Sequence, residues 1–369
     1  MITPKRTKHS EFMEWAKLHS QARFNLATSG VLNVPASEFP VGVDDFVITG
    51  ADGYGYAPLQ QRIALHYGIA PECVVTANGT SMANHLAMAA LIEPGDEVLI
   101  EQPAYAPLVD VADYLGARVK RFARRFENGF AIDLGEIESA RTSATRLIVL
   151  SNLHNPSGAP TPEETLRTLA EIAARSGAHV LVDEVYLEMI FDGQPPFAFL
   201  IGQSLPNGNP FIVTNSLTKT YGLSGLRCGW ILASPDLAKR IWRFNDLFGV
   251  NAPHSAEQLS VAAFDHLQKF RERAQTLLTR NRALLDAFLD SRDDLECFRP
   301  PVGTVVFPRL TRGHPETFSQ LLREKYETSV VPGNFFDMPD HFRIGIGGDT
   351  ENLRAGLERL GSALDESRK

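Results

Sequence analysis

The sequence predicts an α/β protein in which a mostly parallel sheet of seven strands lies between helices, with a smaller α+β domain added to it. In the middle of the chain, short apolar runs alternate with helical patterns, which is typical of β-α-β units. The run 147–150 is apolar at every position, as expected for a strand that helices cover on both faces. After Pro253 a long helical pattern is followed by short strands and helices, which indicates the second domain.

The elements follow in chain order. The sheet is predicted to contain the strands Cys73–Ala77, Asp96–Glu101, Arg118–Phe122, Arg146–Ser151, His179–Asp183, Phe211–Asn215 and Leu226–Ala233. Helices are predicted between them over Thr80–Ile92, Tyr105–Leu115, Asp133–Arg141 and Pro162–Arg175. A helix over Ser255–Leu289 is predicted next, then strands Thr304–Leu310, Ser329–Val331 and Phe342–Ile346 with helices Pro315–Lys325 and Glu351–Leu364.

The chain is expected to form two domains. A short amphipathic helix, Glu11–Leu18, precedes a loop rich in glycine and proline, and this N-terminal segment is expected to lie with the C-terminal part. The large domain is therefore predicted over residues 42–252, and the small domain over residues 1–41 and 253–369.

Composition limits the classes of function. Of the 369 residues 44% are hydrophobic, and the formal charge is −8 without a long basic run, which argues against a nucleic-acid partner. Cys73, Cys228 and Cys297 lie far apart, so neither a disulfide scaffold nor a cysteine-rich zinc site is expected, and a cytoplasmic location fits. No apolar run is long enough for a membrane helix, and none follows the basic N-terminus as in a signal peptide.

The most informative motif places Lys219 in a glycine-rich turn directly after an apolar strand. Residues 216–227 read Ser-Leu-Thr-Lys-Thr-Tyr-Gly-Leu-Ser-Gly-Leu-Arg, so Arg227 closes the same turn. Open α/β sheets bind ligands at such strand ends. Removal of water from an ammonium group favours the neutral amine, which attacks carbonyl carbons. For the lysine alone an exposed turn would be the favoured interpretation, but its surroundings reverse this and favour a functional role.

Three more polar motifs follow predicted strands. Asn78–Ser81 precedes an apolar helix, whose N-terminus suits a phosphate, although simple capping is an alternative. Asp183 ends an apolar strand, where a carboxylate needs a cation unless it caps the next helix. Asn155 begins Asn-Pro-Ser-Gly, which by itself is an ordinary turn sequence.

Arg343 lies in the otherwise apolar segment Phe342–Ile346. A buried arginine needs an anion, and either a ligand carboxylate or an internal ion pair would provide one. Tyr105, after Glu-Gln-Pro, presents a flat ring at a predicted helix start. That ring suits either a stacked aromatic ligand or the protein core.

Taken in order from Tyr54 to Arg343, these motifs resemble those of the fold-type I enzymes that use pyridoxal 5′-phosphate (PLP), the class I/II aminotransferases of the aspartate aminotransferase superfamily. The resemblance covers nearly the whole chain. It implies a PLP-dependent aminotransferase that moves an amino group between an L-amino acid and a 2-oxo acid. Lys219 would hold PLP as a Schiff base, take the α-proton of the substrate and return it to the cofactor.

The resemblance also implies a role for each matching residue. The catalytic residues implied are Lys219, Asp183 and Tyr186, with Asp183 paired to the pyridine nitrogen. The residues implied to bind PLP are Gly79, Thr80, Ser81, Tyr105, Asn155, Asp183, Tyr186, Ser216, Lys219, Arg227 and Tyr54. The residues implied to bind substrate are Arg343, Asn155 and Gly30. Tyr54, with Tyr56 as a rival, would reach the phosphate of the partner subunit, which implies a homodimer.

Within the family, some stretches are similar to capreomycidine synthase-like members, which cyclise a hydroxylated arginine with the same cofactor. These stretches are Ser29–Val31, Glu127–Phe130, Gly222–Arg227 and Val330–Gly333. Cyclisation, β-elimination or decarboxylation is therefore an alternative outcome at the same site. A PLP-binding regulator without catalysis is a further alternative, but the chain shows no basic N-terminal extension for DNA binding.

Overall fold

The computed structural model describes residues 8–42, 47–50 and 53–367. Parts of both predicted domains, residues 1–7, 43–46, 51–52 and 368–369, lie outside the described residues. The strands are β1 (Phe24–Asn25), β2 (Val74–Asn78), β3 (Glu97–Gln102), β4 (Arg118–Ala123), β5 (Thr145–Ser151), β6 (His179–Asp183), β7 (Phe211–Ser216), β8 (Cys228–Leu232), β9 (Leu295–Glu296), β10 (Val305–Val306), β11 (Arg309–Leu310), β12 (Thr328–Ser329), β13 (Val331–Pro332) and β14 (Phe342–Gly345).

Helices surround these strands. They are α1 (Glu11–Leu18), α2 (Ala57–Tyr67), α3 (Thr80–Ala89), α4 (Ala106–Tyr114), α5 (Leu134–Ala140), α6 (Glu163–Ser176), α7 (Ala198–Gln203), α8 (Pro235–Asn245), α9 (His254–Asp265), α10 (Leu267–Asp290), α11 (Pro315–Glu324) and α12 (Thr350–Ser367). Among the described residues, none of these helices combines the length and the apolar character needed to cross a membrane.

The central sheet confirms the predicted fold class. Its seven strands lie in the order β2-β8-β7-β6-β5-β3-β4. Strand β8 alone runs against its two neighbours, and the other pairs are parallel. Alternate residues of β6 enter different cores, since Val180 and Val182 pack on one face and Leu181 on the other. The carboxyl ends of the parallel strands meet at one edge, where the polar motifs emerge.

A second group of strands joins the two ends of the chain. Strand β1 pairs in parallel with β12, and the Gly345 N–H donates to the Leu26 carbonyl at 2.6 Å. Strand β14 lies between β10 and β13. The N-terminal segment therefore contacts the C-terminal strands, while the exact limits of the two domains stay a prediction.

Several predicted elements are interrupted in the structure. The long helix expected over 255–289 is two helices, α9 and α10. They are separated at His266, whose φ of −126° is not helical. Both helices bury residues in the same core. The expected strand over 304–310 divides into β10 and β11 around Pro308, which has no N–H for a ladder. Strand β8 begins only after Arg227, whose φ of 50° lies in the left-handed region. Helices α2, α7 and α8 were not predicted.

Candidate active site

A cavity of about 340 Å³ lies beside the carboxyl ends of β6 and β7 and is closed by α1 and β14. Most of the predicted site residues line it: Thr80, Ser81, Tyr105, Asn155, Asp183, Tyr186, Ser216, Lys219, Arg227 and Arg343. Gly79 and Gly30 lie directly behind this lining, next to Arg227 and Lys219 respectively. Tyr54 does not line the cavity of its own chain.

Lys219 extends from the turn after β7 into the cavity. Its Nζ donates a hydrogen bond to the Ser29 Oγ at 3.0 Å, and its backbone carbonyl accepts from the Val31 N–H at 3.0 Å. A Cβ at Gly30 would lie 3.3 Å from the Lys219 Cδ, so the absence of a side chain there leaves room for the lysine stem. The amine is thus held inside the cavity by the N-terminal segment.

Asp183 presents a buried carboxyl at the end of β6, with 5% of the residue exposed. Its Oδ2 accepts from the Asn84 Nδ2 at 2.9 Å, and its Oδ1 accepts from the Val185 N–H at 3.2 Å. Burial raises the pKa of Asp183 to about 6. No salt bridge to Asp183 forms among the described residues, so this acid has room for a cation such as a protonated ring nitrogen.

The N-terminus of α3 forms the end of the cavity that suits a phosphate. Gly79 precedes the helix with φ 79°, and a Cβ there would lie 2.2 Å from the Arg227 Nη2, so only glycine fits. Arg227 donates to the Asn78 carbonyl at 3.2 Å. The buried Thr80 Oγ1 has no hydrogen-bond partner among the described residues. Helix N–H groups, a hydroxyl without a partner and an arginine match the needs of a phosphate dianion, so the residues fit PLP.

Arg343 is a buried cation without a carboxylate partner. It is 3% exposed, and burial lowers its pKa. Its Nη1 donates to the Asn155 Oδ1 at 2.7 Å and its Nη2 to the Ala27 carbonyl at 3.1 Å, while its Nε has no partner among the described residues. The alternative of an ion pair within the small domain is not found among these residues, so the guanidinium can receive a ligand carboxylate.

A buried ion pair supports Asn155 from behind. The Arg124 Nη1 contacts the Glu101 Oε2 at 2.9 Å, and both side chains are fully buried. The Glu101 Oε1 accepts from the Ser151 N–H at 2.7 Å and from the Ser151 Oγ at 2.6 Å. The Ser151 Oγ in turn accepts from the Asn155 N–H at 3.0 Å. This network fixes the backbone of Asn155 below Arg343.

Sequence reasoning missed other residues that line the cavity. Ser29 accepts a hydrogen bond from the Tyr186 hydroxyl at 2.8 Å. Asn84 joins Asp183 to Thr214, whose Oγ1 donates to the Asn84 Oδ1 at 2.6 Å. The sequence feature that could have revealed Asn84 is its position as a polar residue on the apolar face of α3. Helix α1 also lines the cavity. No sequence motif predicted this, because the residues that α1 meets at the cavity lie far from it along the chain.

The two predicted tyrosines occupy different environments. The Tyr105 ring lines the cavity and packs edge-on against Phe12 at 5.5 Å, and burial raises the pKa of Tyr105. Tyr105 is therefore both a cavity residue and part of the core. Tyr54 is 53% exposed, and its hydroxyl donates to the Asp246 Oδ2 at 3.2 Å, so it does not face the cavity of its own chain.

The geometry defines a class of enzyme. A lysine amine, a buried acid with no salt bridge among the described residues and a helix end that suits a phosphate meet at the carboxyl edge of a mostly parallel sheet, which is the arrangement of fold-type I PLP enzymes. The family model for aminotransferase class I and II matches residues 49–360. The chain belongs to this family, and it is therefore a PLP-dependent enzyme.

Known proteins similar to this chain include both transaminases and cyclases. Capreomycidine synthase from Streptomyces vinaceus is 29% identical, over 93% of this chain and 90% of that protein. An arginine–pyruvate transaminase from Pseudomonas aeruginosa is 30% identical, over 84% of this chain and 81% of that protein.

Solved structures show the same similarity. A PLP-dependent aminotransferase from Streptococcus suis 89-1591 superimposes with a TM-score of 0.91 at 27% identity, over 100% of both chains. The PLP-dependent cyclase OrfR superimposes with a TM-score of 0.86 at 25% identity, over 99% of both chains.

Proposed function

We propose that the protein transfers the amino group of an L-amino acid to a 2-oxo acid, with Lys219 as the residue that binds PLP covalently. The observation that carries this proposal is that Lys219, Asp183 and Arg343 face one cavity from three separate elements. When bound, PLP supplies an aldehyde carbon and an electron-accepting ring. The protein has to supply a base, an acid below the ring and a binding site for the substrate.

The side chains divide these tasks. Arg343 and Asn155 would bind the α-carboxylate and so orient the α-carbon toward the Lys219 Nζ. Lys219 would then remove the α-proton as a general base and return it as a general acid. Asp183 would stay ionised next to a positively charged ring nitrogen, because a neighbouring cation favours the carboxylate.

A second candidate function is supported by the similarity to capreomycidine synthase and to the cyclase OrfR. A cyclase, a lyase or a decarboxylase needs the same lysine and the same acid as a transaminase. These reactions differ in which bond at the substrate breaks after the α-carbon is activated. The site residues described above therefore do not distinguish these outcomes.

The experiment that decides between these functions omits the second substrate. PLP-loaded protein is mixed with a panel of L-amino acids, and the cofactor is analysed by absorbance and mass. We expect one equivalent of 2-oxo acid per site together with the pyridoxamine form of the cofactor, which an added 2-oxo acid restores to PLP. Release of another product with PLP unchanged would instead support the second candidate.

We also propose a cytoplasmic homodimer. An apolar surface near Tyr54 contains Tyr114, Leu247, Phe248 and Val250, which are 46%, 75%, 51% and 59% exposed. A surface of this kind is typical of an interface. A second copy that covers it would place Tyr54 next to the partner's phosphate site. The cytoplasmic location is proposed because the three cysteines are free. Light scattering tests the dimer.

A further inference from the structure

Ser29 presents its hydroxyl to two of the side chains that the family resemblance makes catalytic. The Ser29 Oγ accepts a hydrogen bond from the Lys219 Nζ at 3.0 Å and another from the Tyr186 hydroxyl at 2.8 Å. Ser29 lines the cavity and is buried, with 7% of the residue exposed. Its hydroxyl therefore connects an amine and a phenol inside the site, and the proposed function gives it no task.

The backbone around Ser29 is held in place from two sides. The Thr304 Oγ1 donates to the Ser29 carbonyl at 2.7 Å, and Thr304 is itself buried. On the other side, the Val31 N–H donates to the Lys219 carbonyl at 3.0 Å. Between them, a Cβ at Gly30 would lie 3.3 Å from the Lys219 Cδ, so the lysine stem passes close to this backbone. The Ser29 Oγ is thus fixed relative to the turn that carries Lys219.

The Lys219 amine depends on this one hydroxyl for its orientation. Within the described part of the chain, the Lys219 Nζ donates a hydrogen bond to the Ser29 Oγ and to no other group. A lysine side chain has a flexible four-carbon stem, and its amine must lie close to the reacting carbon for efficient attack or proton transfer. Without the hydroxyl, the amine would keep several rotamers inside the cavity.

We infer that Ser29 is a positioning residue for the Lys219 amine. The inference rests on the proposed function, because it takes Lys219 as the residue that binds PLP and moves the α-proton. The Ser29 hydroxyl restricts the amine whenever the amine is not linked to PLP, which is before the cofactor is attached and again during proton transfer. The hydroxyl contributes hydrogen bonds, and no covalent bond or charge is transferred through it.

The contact with Tyr186 offers a second route for the same hydroxyl. A tyrosine has two side-chain torsions, and the Tyr186 ring is buried in a hydrophobic core, so packing already fixes its direction. The stem of Lys219 has more torsions and no such core around its amine. The hydroxyl therefore removes more conformational freedom from Lys219 than from Tyr186, and we assign its role to the lysine.

Two variants of similar shape test this role. Ser29→Thr keeps the hydroxyl, Ser29→Val replaces it by a methyl group, and both carry the same additional methyl group. Cofactor-free Ser29→Val should take up PLP about tenfold more slowly than Ser29→Thr, as followed by absorbance. Both variants should bind pyridoxamine phosphate equally, because it lacks the aldehyde that reacts with lysine.

Turnover of the loaded protein gives a second readout. Relative to Ser29→Thr, Ser29→Val should lower kcat about tenfold and leave KM nearly unchanged, since the proposed function places the substrate carboxylate on Arg343. Ser329 is the matched control, because it is also buried but its Oγ donates to the Ser20 carbonyl at 2.7 Å. Ser329→Val and Ser329→Thr should take up PLP at the same rate.

A double-variant comparison separates Lys219 from Tyr186. The Ser29→Val and Ser29→Thr pair is measured again together with Tyr186→Phe, which lacks the hydroxyl that reaches Ser29. The difference of about tenfold in PLP uptake should persist in this background. If Tyr186→Phe abolishes the difference, the Ser29 hydroxyl acts through Tyr186 and the inference is wrong.

The contrary results differ from those that concern the proposed function. Equal or faster PLP uptake by Ser29→Val than by Ser29→Thr would overturn the role of Ser29 and leave the amino-transfer reaction itself untouched. Parallel loss of pyridoxamine phosphate binding in Ser29→Val would show that the substitution damages the whole site, and it would also overturn a specific role. The proposed function fails instead if the wild-type protein takes up PLP and converts no amino acid of the panel.

Discussion

The two ends of the cavity are built in different ways. At the cofactor end, Asp183 and Ser216 close neighbouring strands of one sheet, and Gly79 follows a third strand. The β-ladder that pairs Asp183 with Ser151 and Thr214 sets their spacing. At the substrate end, α1 and Arg343 come from opposite ends of the chain and meet through two-residue strands. Continuous β-strand pairing fixes the cofactor end, whereas the substrate end depends on a few contacts between residues that are far apart in the sequence.

We infer that the residues at the cofactor end determine the reaction and that those at the substrate end determine which substrates are bound. The sheet gives Lys219 and Asp183 a fixed geometry that many substrates can share. The residues of α1 that line the cavity belong to no strand of the central sheet, so they can change without any change to the sheet. Related enzymes with the same cofactor end can therefore act on different substrates or follow different reaction outcomes.

The largest expected effect tests the cofactor end. Lys219→Ala should lower turnover by at least about 10⁴-fold, because both the covalent link and the base are lost. The visible absorbance of lysine-linked PLP should disappear as well. Lys239→Ala, at an exposed position of α8, is the control and should keep both. Unchanged absorbance in Lys219→Ala would mean that another residue binds PLP.

The second largest effect is expected on stability, from the buried ion pair of Glu101 and Arg124 that supports Asn155. Glu101→Gln leaves the fully buried Arg124 without its carboxylate. We expect the free energy of unfolding to fall by about 3 kcal/mol, measured by urea titration. The double variant Glu101→Gln/Arg124→Met removes both charges but keeps an oxygen that accepts from Ser151, and it should recover part of the loss. A change below about 1 kcal/mol in Glu101→Gln would show that solvent reaches this pair.

The contrast between the two ends of the cavity also explains which site residues could be predicted from the sequence. Asp183 stood out because a carboxylate at the end of an apolar strand needs a cation. Lys219 stood out only through its glycine-rich surroundings, which resemble the lysine motif of the family. Arg343 stood out because it lies inside an otherwise apolar segment, where a buried arginine needs an anion. Ser29 did not, because nothing in one sequence shows that a loop near the N-terminus contacts Lys219. The break at His266 was also missed, since a helical pattern of mixed charges continues through it.

Loss of Arg343, which we propose binds the substrate carboxylate, should affect substrate binding more than the chemical step. Arg343→Gln should lower kcat/KM about 100-fold, mostly through KM, because the α-carboxylate loses a charge-assisted pair. Arg343→Lys should recover part of the loss, since it keeps the charge but not the planar fork. PLP absorbance should stay the same in both variants. A loss of PLP binding instead would place Arg343 at the cofactor end.

Asp183 should give the cofactor-free protein a distinct pH dependence. Burial raises the pKa of Asp183 from 3.8 to about 6, so between these values the folded state binds more protons than the unfolded state. The free energy of unfolding of the cofactor-free protein should therefore fall by about 2 kcal/mol as the pH rises from about 4 to about 6. Asp183→Asn should remove this slope in thermal unfolding, and bound PLP should remove it in the wild type. The same slope in Asp183→Asn would assign it to another group.

The smallest expected effect concerns the subunit interface. Tyr54 is exposed in one chain; its hydroxyl donates to the Asp246 Oδ2 and its ring packs against Trp242, so Tyr54→Phe should leave the fold intact. If the partner's Tyr54 donates to the phosphate, this variant should weaken PLP binding about tenfold, as expected for one hydrogen bond to a charged group. Tyr56→Phe is the matched control, because the Tyr56 ring packs edge-on against His254 at 5.0 Å. A larger loss in Tyr56→Phe would assign the phosphate contact to Tyr56, and a monomeric mass with full PLP affinity would remove the partner from the site altogether.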